Sequence, residues 1–481
     1  MRSASYPFCL VLLGACAAVF AQPPDILWTN SYGGSTNDYC RSVLQTDDGG
    51  FYLIGMSGWD LSLLKVDENG LLEWEKTFGG SGYDFGEDAQ RTLDGGLIIT
   101  GWTHSFGAAD GDLWLLKLDS LGGQEWSSIF GCDSVDRGFS VCQSPDGGFA
   151  ATGVTTGSAG DPELYIVKVN EYGSLEWEQS YGGTDSDIGF SIEPTTDDGF
   201  IITGSTYMEE TDADLWLIKT DSFGEIVWEE TFGDSLEEVG YSVSQTSDGG
   251  FIVTGYTLSY ATGADIFLLK TDNMGSVDWT SSFGDSDWDR GDDVIQTIDG
   301  GFVLTGSTTL PGASIDISVV KTFSDGGLDW QMTVGDADHD EYGYSILQLP
   351  DGGFIIGGDS RSFSTGDHNM FLARLAPPEG IADDDDPESN DLFLHSIAPN
   401  PSFQTVEISF FLPVSAHTDI SVLDLSGRVI SCIQQGVMPA GENCTDWNGC
   451  SQSGFPVSGG VYLIRIESMG QIVTGRLVVF R

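Results

Sequence analysis

Seven tryptophans, Trp28, Trp74, Trp126, Trp177, Trp228, Trp279 and Trp330, are each followed ten residues later by a carboxylate. These are Asp38, Asp84, Asp136, Asp187, Glu238, Asp289 and Asp340. A second set, Asp60, Asp112, Glu163, Asp214, Asp265 and Asp316, is broken by Asn369. Carboxylates repeated this way can accept hydrogen bonds from loop amides within their own repeat, the plainer reading. They can also hold a hard cation. Asp285, Asp287 and Asp289 alternate, as do Asp336, Asp338 and Asp340, which clusters the oxygens calcium prefers. Arg290 and Glu341 stand where an EF-hand loop needs glycine. Calcium is thus the candidate cofactor and these six aspartates its candidate ligands, with no cofactor required. A third chemistry is acid and base catalysis on a polysaccharide, for which Asp289 and Asp340 are the candidates.

A unique site needs residues that break the repeat. Trp59, Trp102, Trp288 and His339 do so and are the candidate ligand-binding residues, as aromatic platforms for a sugar or peptide; ordinary loop residues are the plainer reading. His104 and His368 share this property. Lys65, Lys117, Lys168, Lys219, Lys270, Lys321 and Arg374 form a further sevenfold set, expected to neutralise carboxylates between repeats. Arg290-Gly291-Asp292 spells an adhesion tripeptide that so Gly- and Asp-rich a chain produces by chance. No zinc-protease helix, nucleophile elbow or phosphate loop is present, and no catalytic residue is assigned.

The elements that position these residues follow from the repeat itself. Asp-Gly-Gly precedes Phe51, Leu97, Phe149, Phe251, Phe302 and Phe354, and Asp197-Asp198-Gly199 precedes Phe200, so seven copies recur with a period of about 51 residues. Within a copy, short alternating apolar runs separated by turn residues read as four strands. The expected fold is all-β, a seven-bladed β-propeller over 25–376. The chain enters on a fourth strand, Ile26 to Asn30, and the repeats end on a third strand, Met370 to Arg374. The two ends are therefore expected to pair and close the ring. The connections between blades and those from second to third strand then share one face, where loop length varies and binding is expected.

The text Trp228-Glu229-Glu230-Thr231-Phe232-Gly233-Asp234-Ser235, Gly240-Tyr241-Ser242-Val243 and Asp248-Gly249-Gly250-Phe251-Ile252-Val253-Thr254-Gly255 resembles the tandem propeller repeats of secreted bacterial and archaeal surface proteins. That resemblance implies a scaffold without implying one activity.

Charge and targeting bound the function. With 74 acidic against 18 basic residues the formal charge is −56, which excludes nucleic-acid partners and anionic lipid surfaces. Residues 1–21 read as a signal peptide cleaved after Ala21; lipid modification at Cys16 is the alternative. No later run is long and apolar enough to span a bilayer. Cys40, Cys132, Cys142, Cys432, Cys444 and Cys450 remain, three in each half, so complete pairing within both halves is impossible.

Residues 377–391 hold Pro377-Pro378, Asp383 to Asp386 and Pro387, an acidic linker. Residues 392–481 lose the repeat and read as short strands of an immunoglobulin-like β-sandwich. Pro399-Asn400-Pro401, Val422-Leu423-Asp424-Leu425-Ser426-Gly427-Arg428, Gly441, Trp447, Ser458-Gly459-Gly460-Val461-Tyr462 and Arg476-Leu477-Val478 follow in order. This part closely resembles the type A C-terminal sorting domain of type IX secretion cargo, itself similar to the sandwich of flagellar hook-capping proteins. The resemblance implies the type IX machinery as partner, passage through the periplasm, and release or display at the cell surface. The expectation is an exported monomeric propeller that binds a polysaccharide or protein, with a polysaccharide hydrolase or lyase as the alternative.

Overall fold

Runs in which Val, Ile and Leu dominate favour extended chain, and the Asp-Gly pairs between them favour tight reversal. The computed structural model describes residues 22–377, apart from 108–110, 132–133, 157–159, 184, 208–211, 234–235, 260–262, 285–286, 310–313, 337 and 363–367. It then describes 393–398, 406–424, 428–452, 454–457, 460–469 and 471–479. The proposed leader, Cys132, Asp285 and nearly all of the linker lie outside these residues. The chain divides into two compact units, Met1–Gly380 and Ile381–Arg481. Among the described residues there is no helix, so none is long and apolar enough to cross a membrane.

The described residues of the first unit form seven four-stranded antiparallel sheets, an arrangement consistent with a propeller. In the fifth, Glu238–Gln245, Phe251–Thr257, Asp265–Thr271 and Val277–Phe283 pair in chain order. Six sheets are built this way. The seventh takes Glu341–Gln348, Phe354–Ser360 and Asn369–Leu375, and its fourth strand is Ile26–Tyr32 from the far end of the unit. Each sheet packs against the next, and the first packs against the seventh through Phe51, Leu53, Ile355, Met370 and Leu372.

The tight turn between first and second strands places Gly249 at φ +88°, a conformation glycine adopts without Cβ strain. In the copy that reads Asp197-Asp198-Gly199, Asp198 takes this role at φ +67°. The turn aspartate also anchors the sevenfold basic set. Lys168 Nζ lies 2.9 Å from Asp146 of its own sheet's turn and 2.8 Å from Glu176 of its own fourth strand. The pairs Lys65–Asp48, Lys117–Asp94, Lys219–Asp197, Lys270–Asp248, Lys321–Asp299 and Arg374–Asp351 repeat the contact. The basic residues therefore tie each sheet to its own turn, which corrects the expectation that they act between repeats. A lysine on the third strand reaches across the second to the turn at the same end.

Every first strand carries a bulge. In the fifth sheet Gly240 pairs with Gly255 and Ser242 with Thr254, leaving Tyr241 as the extra residue. The same shift isolates Arg41, Glu87, Phe139, Phe190, Asp292 and Tyr344. The bulge draws the first two strands together: a Cβ on Gly255 would stand 1.7 Å from the Val239 carbonyl oxygen. A bulge re-aims its extra side chain, so the fold presents one variable residue per sheet on a fixed scaffold.

The described residues of the second unit form two sheets. Phe393–Ala398, Val406–Leu412 and Gly441–Trp447 form one; Val429–Met438, Ala416–Asp424, Gly460–Ser468 and Gln471–Val479 form the other. Alternate residues Val406, Ile408, Phe410 and Leu412 meet Ile420, Val422, Ile464, Ile466 and Trp447 in one core. Two sheets enclosing one core is the layering a small β-domain needs.

Candidate functional site

Five of the repeated carboxylates, Asp38, Asp84, Asp136, Glu238 and Asp289, open the first strands, and Asp187 stands immediately before its strand. Asp84, Asp136, Asp187 and Asp289 are each no more than 1% exposed. Asp38, Asp84 and Asp187 accept from the backbone amides of Gly34, Gly80 and Gly183, four residues upstream. Asp84 also accepts from the Thr103 and Ser105 hydroxyls, and Glu238 from Thr257. These carboxylates therefore secure their own loops. In the seventh copy the buried position belongs to Glu341, which accepts from Ser360 and Ser362, because that copy carries one extra residue before the strand. Asp340 instead meets Arg361 at 2.6 Å on the rim and accepts from the Ile315 amide.

The sequence-derived candidates are not brought together. Trp59 stacks on Tyr83 at 4.0 Å and Trp288 packs on Tyr256 at 5.4 Å; both are exposed. His339 Nδ1 lies 2.9 Å from Asp336, which also accepts from the Asp338 amide. Asp336 thus pairs with His339 and Asp340 with Arg361, Asp338 is exposed, and Asp289 is buried while Asp287 is half-buried. Among the described residues no three His, Cys, Asp or Glu side chains gather as a metal-binding group, and Asp285 lies outside them. Trp102 is the exception. Its Nε1 donates to Glu87 Oε1 at 3.3 Å, its ring stacks on Phe85, and the Arg137 guanidinium lies 5.0 Å from it.

Glu87 leads to what the sequence reading missed. The seven bulge residues, Arg41, Glu87, Phe139, Phe190, Tyr241, Asp292 and Tyr344, all line one cavity of about 380 Å³, and all are partly exposed. Phe139 meets Phe190 at 5.5 Å and Phe190 meets Tyr241 edge-on at 4.9 Å, making an aromatic arc. A charged arc continues it. Arg290 holds Asp292 through two contacts of 3.0 and 3.1 Å and lies 5.5 Å from Tyr241 and 5.8 Å from Tyr344. On Tyr344 the Arg41 guanidinium lies at 3.9 Å, within 3.6 Å of Glu87 and 3.9 Å of Asp359. Arg290 and Asp292 of the apparent adhesion tripeptide are therefore engaged with each other, and Asp292 lines the cavity.

Below the ring, the residue after each bulge is serine in five sheets, Asp88 in the second and Asp293 in the sixth. Asp88 accepts from the Ser42 and Ser140 hydroxyls and the Val141 amide, joining three sheets. Asp293 joins the fifth and seventh sheets through Ser242 and Ile346. The signal for the whole site was available: a variable residue between a small residue and Ser or Asp, as in Gly86-Glu87-Asp88 and Gly240-Tyr241-Ser242.

Burial governs the acids here. It raises Glu87 and Asp292 although Arg41 and Arg290 pull the other way. It pushes Asp293 to about 6 and both Glu193 and Asp359 to about 7. A carboxyl raised in the folded state lends stability that is complete below its unfolded value, near 4, and is lost as pH rises through the folded value. The unit is therefore expected to melt higher at about pH 5 than at about pH 8, Asp359 contributing on the order of 3 kcal/mol. Relief of the net charge has the same sign, so Asp359→Asn isolates the effect: calorimetry should show a shallower pH slope in that variant. Equal slopes would exclude Asp359 as a source. The gain ends at lower pH, where carboxylates such as Asp48, held at about 2 by its hydrogen bond from Lys65, begin to lose their stabilisation.

Residues 396–480 match the family of secretion system C-terminal sorting domains. This is the sorting domain of type IX cargo, and it sends the chain to the cell surface or outside. No curated protein matches the chain by sequence. Among solved structures, the chain is similar to PorZ, a surface component of the type IX secretion system of Porphyromonas gingivalis, with 11% identity and a TM-score of 0.42. The match covers 94% of this chain and 60% of PorZ, so the chain spans about three-fifths of that protein's length. It is similar to an ulvan polysaccharide lyase at 11% identity and TM-score 0.45, covering 71% of this chain and 95% of the lyase. Drosophila Plexin A in complex with Semaphorin 1b is similar at 8% identity and TM-score 0.42, covering 74% of this chain and 88% of that one.

Proposed function

We propose that the chain is an exported, monomeric binding protein: a seven-bladed β-propeller closed by its N-terminal strand, carried outside by an immunoglobulin-like sorting domain. Its ligand is an extracellular polysaccharide or protein, bound at the cavity ringed by the bulge residues. One observation carries this reading. Residues that recur in nearly every copy, the head carboxylates, the turn aspartates and their lysines, are engaged in holding the sheets, whereas the bulge position changes residue type around the ring. A scaffold whose framework residues repeat while one solvent-reaching position per sheet varies has the form of a binding site on a rigid frame.

The second reading is a polysaccharide hydrolase or lyase, favoured by the burial-raised acids Glu87 and Asp292 in the same cavity. Arrays of polysaccharides and extracellular proteins probed with the mature chain, followed by chromatographic analysis of any bound polysaccharide, separate the two. Retention of a ligand unchanged is the expected result. Shortened or unsaturated products would replace the binding reading with the enzymatic one, and retention of nothing would remove both.

A further inference from the structure

We infer that the ligand of this cavity is an uncharged saccharide, its ring laid against the Phe139, Phe190 and Tyr241 arc and its hydroxyls held by Arg41, Glu87 and Asp292. The inference rests on the binding reading above and deepens it.

A pyranose has an apolar face of C–H groups and an equatorial belt of hydroxyls that both donate and accept. The first matches aromatic rings, whose faces supply large apolar area with little conformational freedom to lose. The second matches planar groups: a carboxylate accepts at two oxygens and a guanidinium donates through a fixed fork. The cavity sets the two kinds of surface side by side. Phe139, Phe190 and Tyr241 touch in sequence, and Tyr241 passes the ring to Asp292 through Arg290. Arg41 faces Glu87 and Asp359 at 3.6 and 3.9 Å, ion-pair distances longer than good hydrogen bonds. Held by the carboxylates only at these distances and by Tyr344 through its ring and hydroxyl, the fork exchanges long ion-pair contacts for a ligand hydroxyl.

Charge selects among polymers. Arg41 of the ring stands beside Glu87, and Arg290, which does not line the cavity, holds Asp292, so these four groups balance, while the deeper acids Asp88, Glu193 and Asp293 are occupied by the Ser42, Ser140 and Ser242 hydroxyls and by backbone amides. A uronate or sulfate must approach a chain of charge −56 and displace a carboxylate from an arginine. A lysine- or arginine-bearing peptide must displace Arg41 from Glu87 or Arg290 from Asp292 to reach those carboxylates. A neutral sugar meets neither obstacle. Volume excludes a folded partner from the cavity: about 380 Å³ lies in the range of small-molecule sites and is far below a protein interface.

The test uses residues 22–481 and titration calorimetry with neutral hexasaccharides of glucose, xylose and mannose. Oligogalacturonate serves as the anionic arm and a lysine-rich peptide as the cationic arm. A neutral hexasaccharide is expected to bind with an affinity that changes little up to about 0.5 M salt. Phe190→Ala and Glu87→Gln should each weaken it about tenfold, as loss of one stacking face or one charged hydrogen bond does. Melting temperatures check folding, and the isosteric Glu87→Gln keeps the test decisive if Phe190→Ala is unstable. Binding of the uronate or the peptide alone, or neutral-sugar binding untouched by Glu87→Gln, overturns the inference and leaves the binding reading standing. If a protein is retained on the arrays but no saccharide, the inference falls by itself; if nothing is retained, both fall.

Discussion

Deleting residues 392–481 is expected to reduce the protein on the cell surface from nearly all of it to background, while the remaining chain accumulates folded in the periplasm. Residues 396–480 match the sorting family, so the deletion removes the address. It spares the fold because the two units have separate cores. Val406, Ile408, Phe410, Ile464 and Trp447 form a cluster entirely within the second unit, and the clusters of the first draw on no residue beyond Leu375. Domains with their own cores fold independently. Surface labelling of intact cells, set against periplasmic extracts from a host with a working type IX system, reads out the location. Calorimetry of the extracted protein reads out the fold, whose Tm should match that of the first unit in the full chain. Truncated protein on the surface would overturn the sorting role, and degraded protein would overturn the independence of the units.

What could be read from the sequence depended on whether chemistry repeated or varied. Asp248-Gly249 and its counterparts announced the turns because few residues tolerate positive φ, and the strand order followed from Val, Ile and Phe runs between them. The pairing of Ile26–Tyr32 with Asn369–Leu375 was legible for a topological reason: a missing fourth strand at one end and a surplus one at the other. The site was less legible. Counting ten residues from Trp330 selected Asp340, but one extra residue in that copy moves the buried role to Glu341, an error only the packing reveals. Basic residues matched in every copy gave no clue to their own-sheet partners because Lys168 and Asp146 are brought together by a hairpin rather than by chain proximity. The bulge ring was overlooked since each member looks unremarkable alone. Arg41, Glu87 and Tyr344 gain meaning from the shared shift in register that turns them to one cavity.

Removing residues 22–32 should disable the first unit, with loss of cooperative melting or a fall in Tm of more than about 10 °C. Ile26–Tyr32 is the outer strand of the seventh sheet, in register from Thr29 opposite Ala373 to Tyr32 opposite Met370. Tyr32 is 8% exposed, packs with Phe51, Met370 and Leu372, and donates from its hydroxyl to the Gly70 carbonyl of the first sheet at 2.6 Å. Without the strand, Asn369–Leu375 becomes an edge with unpaired amides and carbonyls, a template for aggregation. Burial of Tyr32 alone is worth about 2 kcal/mol, and the ladder and the half-buried Trp28 add to it. The total, on the order of 5 kcal/mol, is comparable to the whole stability of many domains. Truncation could also act by mere loss of apolar residues, so the discriminating variant moves the strand. Ile26–Tyr32 is placed behind Leu375 through the turn Asp272–Ser276, which joins third to fourth strands in the fifth sheet. If pairing of the two chain ends closes the ring, this permuted chain recovers the parent Tm, because the same strand reaches the same edge from the other end. A truncated protein that melts like the parent, or a permuted one that stays unstable while expressed and monomeric, would refute closure by the N-terminal strand.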